Sequence, residues 1–413
     1  MRPLNAFEGF GIEIEYAIVG TADLECRSIA DIVLAHAAGT GAVAMERGLI
    51  GWSNEFVLHV LEAKNLAPAA RLEDLAQPLQ GEVIALNKTL LGHGARLMPT
   101  AMHPWLDPRY DAQPWPIDPH GIYRTYQRIF ETRSHGWTNL QSVHLNLPFA
   151  DDDQFARLHE AIRRVLPIIP ALAASSPIAD GQRTAYRDFR MRAYRTNAKA
   201  YPLINGLIIP DSVSSQRAYE DTILEPIYAV MASADPGGIL RHPWLNARGC
   251  IPRFDRNTIE IRVIDTQECP EADLAVAAAV VGAVHRLYGD PQRLSGDMPT
   301  EELARIFDSC VISAEDAMID DGAYLRLFDY PGQSCRAGDL WRHILENLDD
   351  SSGIVSARWT PIWATIVKHG SLARRIEDAV GASRPSRERL AAVYRDLCDC
   401  LQQGTMFAPD RDS

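Results

Sequence analysis

The sequence predicts an α+β fold, with mainly antiparallel strands dispersed through the first two-thirds and a helical C-terminal third. Three observations predict it. Strand-like and helix-like segments alternate without a fixed βαβ rhythm, several short runs alternate apolar and polar residues in period two, and from about residue 296 the apolar period is helical. The 413 residues are 46 % apolar and 23 % charged, enough to bury a sizeable core. Two regions are expected, 1–295 and a helical region 296–413 packed on it.

Residues 10–19 read as a strand, with Ile12, Ile14, Tyr16 and Ile18 on one face and Glu13 and Glu15 on the other. A helix is expected at 28–36 and a second strand at 55–61, ending at Glu62. Residues 75–91 have helical spacing, with Pro78 tolerated in the first turn. Residues 95–102 are extended, and 106–118, with Pro108, Pro114 and Pro116, form a loop. A helix at 122–132 precedes a strand at 139–147 that Pro148 stops. Asp151, Asp152 and Asp153 then cap a helix whose inner face carries Phe155, Leu158, Ile162, Val165 and Leu166. Residues 258–265 are the clearest late strand. Pro270 and Glu271 open a helix that Gly289 closes, and Leu390, Val393, Tyr394, Leu397 and Leu401 mark the last helix.

Lysine and arginine total 41 against 54 acids, a formal net charge of −13, which disfavours nucleic acid as a partner. The seven cysteines are scattered and odd in number, which points to free thiols and a cytoplasmic location. Cys398 and Cys400, two apart on a helix, face different ways and do not form a metal clip. No signal-peptide pattern opens the chain. The longest apolar run, 274–284, is about half the length that crosses a bilayer, so no membrane partner is expected. There is no G-x-x-x-x-G-K-[ST] loop. The run Gly39-Thr40-Gly41-Ala42-Val43-Ala44 follows a helical pattern where a dinucleotide fingerprint needs a strand. H-E-x-x-H, C-x-x-C and G-x-S-x-G are absent.

Four strands carry the remaining polar signal. Glu13 and Glu15 share a face about 7 Å apart and repel unless a positive charge lies between or beside them. Taken alone, the pair is more simply explained as the solvated outer face of an edge strand. Glu55 and Glu62 are separated by seven, an odd number, so one site can use both only if a bulge or an early strand end intervenes. The plain alternative is one acid at each solvated strand end. Ser142, His144 and Asn146 share a face, although a lone histidine is more often structural. Thr258, Glu260 and Arg262 alternate with branched apolar residues, as a surface ion-pair ladder also would. Together the four strands share a logic: each is apolar on one side and presents Glu or His on the other. A concave sheet so lined can hold two or three Mg²⁺ ions against a triphosphate, and the arginine would then face the phosphoryl group being transferred.

Gly11-Ile12-Glu13-Ile14-Glu15, Ser142-Val143-His144, the run from Leu172-Ala173-Ala174-Ser175-Ser176-Pro177 to Gly181, and Thr258-Ile259-Glu260-Ile261-Arg262-Val263-Ile264-Asp265 resemble the second family of bacterial glutamate–cysteine ligases. These carboxylate–amine ligases share the curved, mainly antiparallel catalytic sheet of glutamine synthetase. The similarity runs over about residues 8–290, making 1–295 the catalytic region. The resemblance implies an ATP-dependent ligase in which the side-chain carboxylate of glutamate, or a similar acid, takes the γ-phosphate and the acyl phosphate is captured by an amine. It makes Glu13, Glu15, Glu55, Glu62, His144 and Glu260 ligands of two or three Mg²⁺ ions, with Mn²⁺ as a substitute. It makes Glu260 and Arg262 catalytic, Arg262 stabilising the phosphoryl group.

Arg190, with Tyr186 or Arg187, would bind the acid's carboxylate. Arg248 is a lesser candidate for ATP phosphate, or else a surface arginine. Cysteine is the family's default amine; another amino compound, or a peptide or carrier terminus, fits equally, and family members often form homo-oligomers. The chain departs from its relatives where Ser142 replaces one histidine of a His-x-His, at His59, and in lacking a tryptophan- and arginine-rich helix in the last third. The alternatives are a phosphagen-type phosphotransferase and a non-catalytic descendant of the same fold.

Overall fold

The first period-two segment forms β1 (Gly11–Gly20), the strand around which the sheet is built. The computed structural model describes residues 3–348, 354, 356–381 and 383–408. Ile12, Ile14, Tyr16 and Ile18 are fully buried on one face of β1, so the opposite face, with Glu13 and Glu15, is the one left for chemistry. The other strands are β2 (Ala44–Arg47), β3 (Ile50–Asn54), β4 (Val60–Asn65), β5 (Ala95–Met98), β6 (Ser142–Pro148), the short hairpin β7 (Ile178–Ala179) and β8 (Gln182–Arg183), then β9 (Cys250–Arg253) and β10 (Thr258–Asp265), with a separate short pair, β11 (Met318–Ile319) and β12 (Cys335–Arg336), in the last third. The main sheet runs β2-β3-β4-β1-β6-β10-β9, with β5 paired to the second half of β1, and every pairing is antiparallel.

Register brings the polar residues together. Glu13 lies between Lys64 on β4 and His144 on β6, Glu15 opposite Glu62, and Glu260 opposite Asn146. The β6–β10 register shifts between Ile261 and Ile264, a bulge next to Arg262 that breaks strict alternation there.

One expected strand is corrected. Residues 55–61 do not form a single strand: β3 ends at Asn54, β4 begins at Val60, and the chain turns between them. That turn is pinned from outside, by Leu58 N–H to the Gln113 carbonyl and Trp115 N–H to the Phe56 carbonyl, both at 2.8 Å. The early strand end needed for Glu55 and Glu62 to serve one site is therefore present.

Helices cover the apolar face. Pro270–Gly289 is long and apolar enough to cross a membrane by composition, and 78 % of its most apolar window is buried inside the fold. It packs with Asp152–Val165 and Ala76–Leu91. The last third is mainly helical, including Thr300–Ser313, Ala337–Glu346, Thr360–His369, Leu372–Val380 and Arg387–Gln403. The main apolar cluster joins Ile12, Leu145 and Val280 to Phe307, Trp341 and Trp363, running across residue 295, and a second joins Ala17, Val19 and Met98 to Leu372, Leu390 and Tyr394. All seven cysteines are free thiols.

Candidate active site

The polar face of the sheet, closed by the turn after β3 and by helix Phe189–Tyr194, encloses a hollow of about 330 Å³. Glu13, Glu15, Glu55, Glu62, His144, Glu260 and Arg262 all line it. Adjacent β1, β4 and β6 supply four of them because cross-strand partners on one face lie side by side.

Glu62 occupies the middle. Its Oε1 accepts from Ser53 Oγ at 2.9 Å and Lys64 Nζ at 2.7 Å. Glu13 accepts from Asn146 Nδ2 at 3.0 Å, with His144 Nδ1 3.7 Å from its other oxygen. Glu15 is held by Ser142, whose N–H and Oγ donate to Oε2 at 2.7 and 3.2 Å. Arg262 pairs with Glu260 and donates to the Tyr194 hydroxyl at 3.3 Å.

The acids sit in unequal electrostatic environments. Burial, reinforced by Glu62 and Glu15, holds the Glu55 carboxyl well above the usual range. Burial and Glu13 push Glu62 up to about 7, with Lys64 and His144 opposing. For Glu13, burial acts upward, but the hydrogen bond and charge of His144 outweigh it and hold the carboxyl low. Burial alone would depress His144, yet Glu13 and Glu260 raise it to about 9. Two ligand sets emerge among the described residues: Glu13, Glu62 and His144, and Glu15, Glu55 and Glu62. In each, one ligand atom per residue lies within 4.8 Å of the others. Clustered carboxylate oxygens, joined in one set by an imidazole, with Glu55 and Glu62 crowded enough to raise their proton affinity, fit hard divalent cations. Glu260 stands apart from both sets, committed to Arg262 with its Oε1 3.9 Å from His144.

The glutamate–cysteine ligase family 2 model matches residues 9–309. The chain belongs to glutamate–cysteine ligase family 2. An uncharacterised protein of Archaeoglobus fulgidus is 29 % identical over 379 residues, 92 % of this chain and 94 % of its own. A Pseudomonas paraeruginosa protein, provisionally named glutamate–cysteine ligase 2, is 26 % identical over 314 residues, 73 % of this chain and 71 % of its own. The solved glutamate–cysteine ligase of Francisella tularensis, in complex with AMP, superposes with a TM-score of 0.60 at 13 % identity, covering 98 % of this chain and 89 % of that one. That likeness establishes the fold, an antiparallel sheet with helices. Family and fold together make the protein a carboxylate–amine ligase.

The remaining candidates in this family 2 ligase divide. Arg190 lines the hollow; its Nε pairs with Asp265 and its Nη1 donates to the Arg262 carbonyl at 3.3 Å. Its Nη2 is buried with no hydrogen-bond partner among the described residues, a state that costs about 1–3 kcal/mol until a ligand satisfies it. Tyr186 and Arg187 do not line the hollow. Tyr186 faces a neighbouring cavity, its hydroxyl accepting from Arg192 Nε at 3.3 Å. Arg187 is held by Glu315 at 3.1 Å, Asp316 at 2.8 Å and Glu377 at 3.1 Å, acids from the last third that need a counter-charge. Arg248 is buried outside the hollow, donating to the Leu203 carbonyl and to Asn246 Oδ1, each at 3.0 Å. His59 is wholly buried, bonded to the Thr138 carbonyl at 2.9 Å and depressed by burial to about 4, which marks it as structural.

Sequence reasoning passed over Lys64, Tyr194 and Arg253. Lys64 is two residues from Glu62 and Tyr194 four from Arg190, signals that correct element boundaries would have exposed. Arg253 is on β9, with Nη1 3.8 Å from Glu260 Oε2.

Proposed function

We propose that this ligase joins glutamate, through its side-chain carboxylate, to an amine such as cysteine or another amino compound, using ATP and Mg²⁺. The observation that carries the reading is the pair of three-residue ligand sets sharing Glu62, with Arg262 and the half-free Arg190 lining the same hollow. Glu13, Glu15, Glu55, Glu62 and His144 would hold two Mg²⁺ ions, with Glu260 available if its pairing with Arg262 loosens. Bound there, the ions supply charge neutralisation for the phosphates and for the oxygen leaving as ADP.

In this reading, an oxygen of the acid's carboxylate attacks the γ-phosphorus and ADP departs, leaving an acyl phosphate. The amine nitrogen then attacks the acyl carbon, phosphate leaves, and the nitrogen loses a proton to give the amide. Arg262, locked by Glu260 and Tyr194, presents a fixed guanidinium to charge developing on the phosphoryl oxygens. Arg190 offers Nη2 to a carboxylate that does not react. For the nucleotide, a cavity of about 390 Å³ sharing Glu13, Lys64 and Asn146 with this face combines apolar Leu66 and Pro148 with Arg256 and Thr258. It suits a base and its phosphates better than the surroundings of Arg248 do, and the AMP bound by the Francisella enzyme is consistent with a nucleotide substrate. The free thiols fit a reducing, cytoplasmic setting.

Incubation with ATP, Mg²⁺ and glutamate across a panel of amines, with phosphate release and product mass followed together, tests this. Amine-dependent phosphate and a product lighter than its two substrates by one water are expected. A phosphorylated product without free phosphate would make the protein a phosphotransferase, and silence across a broad panel a non-catalytic descendant.

A further inference from the structure

The Ala174-Ser175-Ser176-Pro177 turn is among the most distinctive pieces of the sequence, yet neither serine lines the hollow. Both converge on Asp265, wholly buried at the end of β10. Ser175 N–H donates to Asp265 Oδ2 at 2.8 Å, and Ser176 Oγ donates to the same oxygen at 2.9 Å. The other oxygen accepts Arg190 Nε. Ser176 Oγ also accepts the Arg190 backbone N–H at 3.1 Å, so one hydroxyl ties the carboxylate to the helix that carries the arginine. Next to it, Asp188 caps that helix by accepting Met191 N–H at 2.8 Å. The guanidinium is thus gripped at Nε and at Nη1, while Nη2 is buried without a hydrogen-bond partner among the described residues on a side chain that lines the hollow.

We propose that Asp265, held by Ser175 and Ser176, is a positioning residue that fixes the plane of Arg190 so that Nη2 meets the non-reacting carboxylate of the acid substrate. The inference rests on the ligase reading. Asp265 accepts three donors on two oxygens, which only a carboxylate does; an amide there sets an N–H₂ against either the serines or the arginine. The guanidinium then loses its fixed plane while its charge stays. The role of Asp265 is therefore expressed through affinity for the acid, with little effect on nucleotide or amine.

The test titrates glutamate into the full-length protein with Mg²⁺ and a non-hydrolysable ATP analogue by calorimetry, alongside KM values for glutamate, ATP and the amine. D265N is expected to raise Kd and KM for glutamate by about 10-fold or more, with KM for ATP changed less than about 2-fold. S176A, which keeps the buried charges, is expected to raise them by about 3-fold. R190K should reproduce D265N, and adding D265N to R190K should change acid affinity no further. A merely structural role would lower the melting temperature and active fraction without that selectivity or that non-additivity. Should D265N fail to fold, S176A alone and combined with R190K decides. Unchanged glutamate affinity in the variants, or additive effects in the double variant, overturns the positioning role. A wild-type protein that neither binds glutamate nor forms an amide overturns the ligase reading itself, and with it the substrate named here.

Discussion

At the scale of single residues, Glu62 concentrates the electrostatics of the hollow, since it belongs to both ligand sets and titrates near neutrality. With metal chelated, the folded protein keeps a proton on Glu62 up to about pH 7, whereas an unfolded glutamic acid releases it near 4.5. Folding takes up that proton in this window, so the metal-free protein loses stability as pH rises from about 5 through 7. His144 acts in the same direction: its contribution is fully present below 6.5 and is lost as pH rises through about 9. Melting temperatures in EDTA should therefore fall across pH 5–9, Mg²⁺ should oppose the fall, and E62Q should flatten the part below 7. A rising profile in EDTA contradicts the assignment. E13Q and E260Q should each reduce turnover by more than about 100-fold while circular dichroism stays native; near-normal rates in both would remove them from the machinery. The convergence of Glu13, Glu15, His144, Glu260 and Arg262 was legible because period-two strands fix which residues share a face. The surroundings of Arg187 were not. The acids that claim it, Glu315, Asp316 and Glu377, follow it by more than a hundred residues, and no local pattern announces such a contact.

At the scale of elements, the wall that carries Arg190 and Tyr194 depends on one close approach. A Cβ at Gly136 would meet the Ala193 carbonyl oxygen at 2.6 Å and Asn197 Cβ at 2.9 Å, both rigid neighbours. G136A should push helix Phe189–Tyr194 outward, cost about 1–3 kcal/mol and weaken turnover more than stability alone explains. Denaturant titration and kcat measured at a temperature where the variant remains folded would check it; a neutral effect on both would show that the wall gives way. Elements with a strong period were legible: 258–265 and 270–289 coincide with the observed β10 and core helix, and β1 differs by one residue at each end. The β2–β3 hairpin was missed because its strands are short and lack clear alternation, and it turns at Gly48 with φ of 64°. β9 was missed because Pro252 lies inside it. Proline is tolerated there because β9 pairs on one side only, at the edge of the sheet.

At the scale of the whole molecule, the helical last third is bound to the helical layer beneath the main sheet. Trp341 Nε1 donates to the Ile168 carbonyl and Trp363 Nε1 to the Ala275 carbonyl, each at 2.7 Å, so two C-terminal helices are hydrogen-bonded to segments beneath the sheet. A buried pair goes further. Arg375 and Glu268, both essentially unexposed, pair with each other, and both hold Phe407: Arg375 Nη1 donates to its carbonyl at 2.7 Å and Glu268 accepts its N–H at 3.2 Å. Glu268 is three residues beyond Asp265 in the chain, so disturbance of the pair is expected to reach β10 and Arg190. Removing one charge of a buried pair strands the other, at a cost of about 3–5 kcal/mol, whereas replacing both with apolar side chains of similar size is often near neutral. R375M should therefore lower the denaturation midpoint sharply and reduce affinity for the acid. E268M combined with R375M should recover part of the stability, and with it part of the acid affinity. Recovery of stability without recovery of affinity would show that the C-terminal third stabilises the sheet without helping to set the geometry at Asp265.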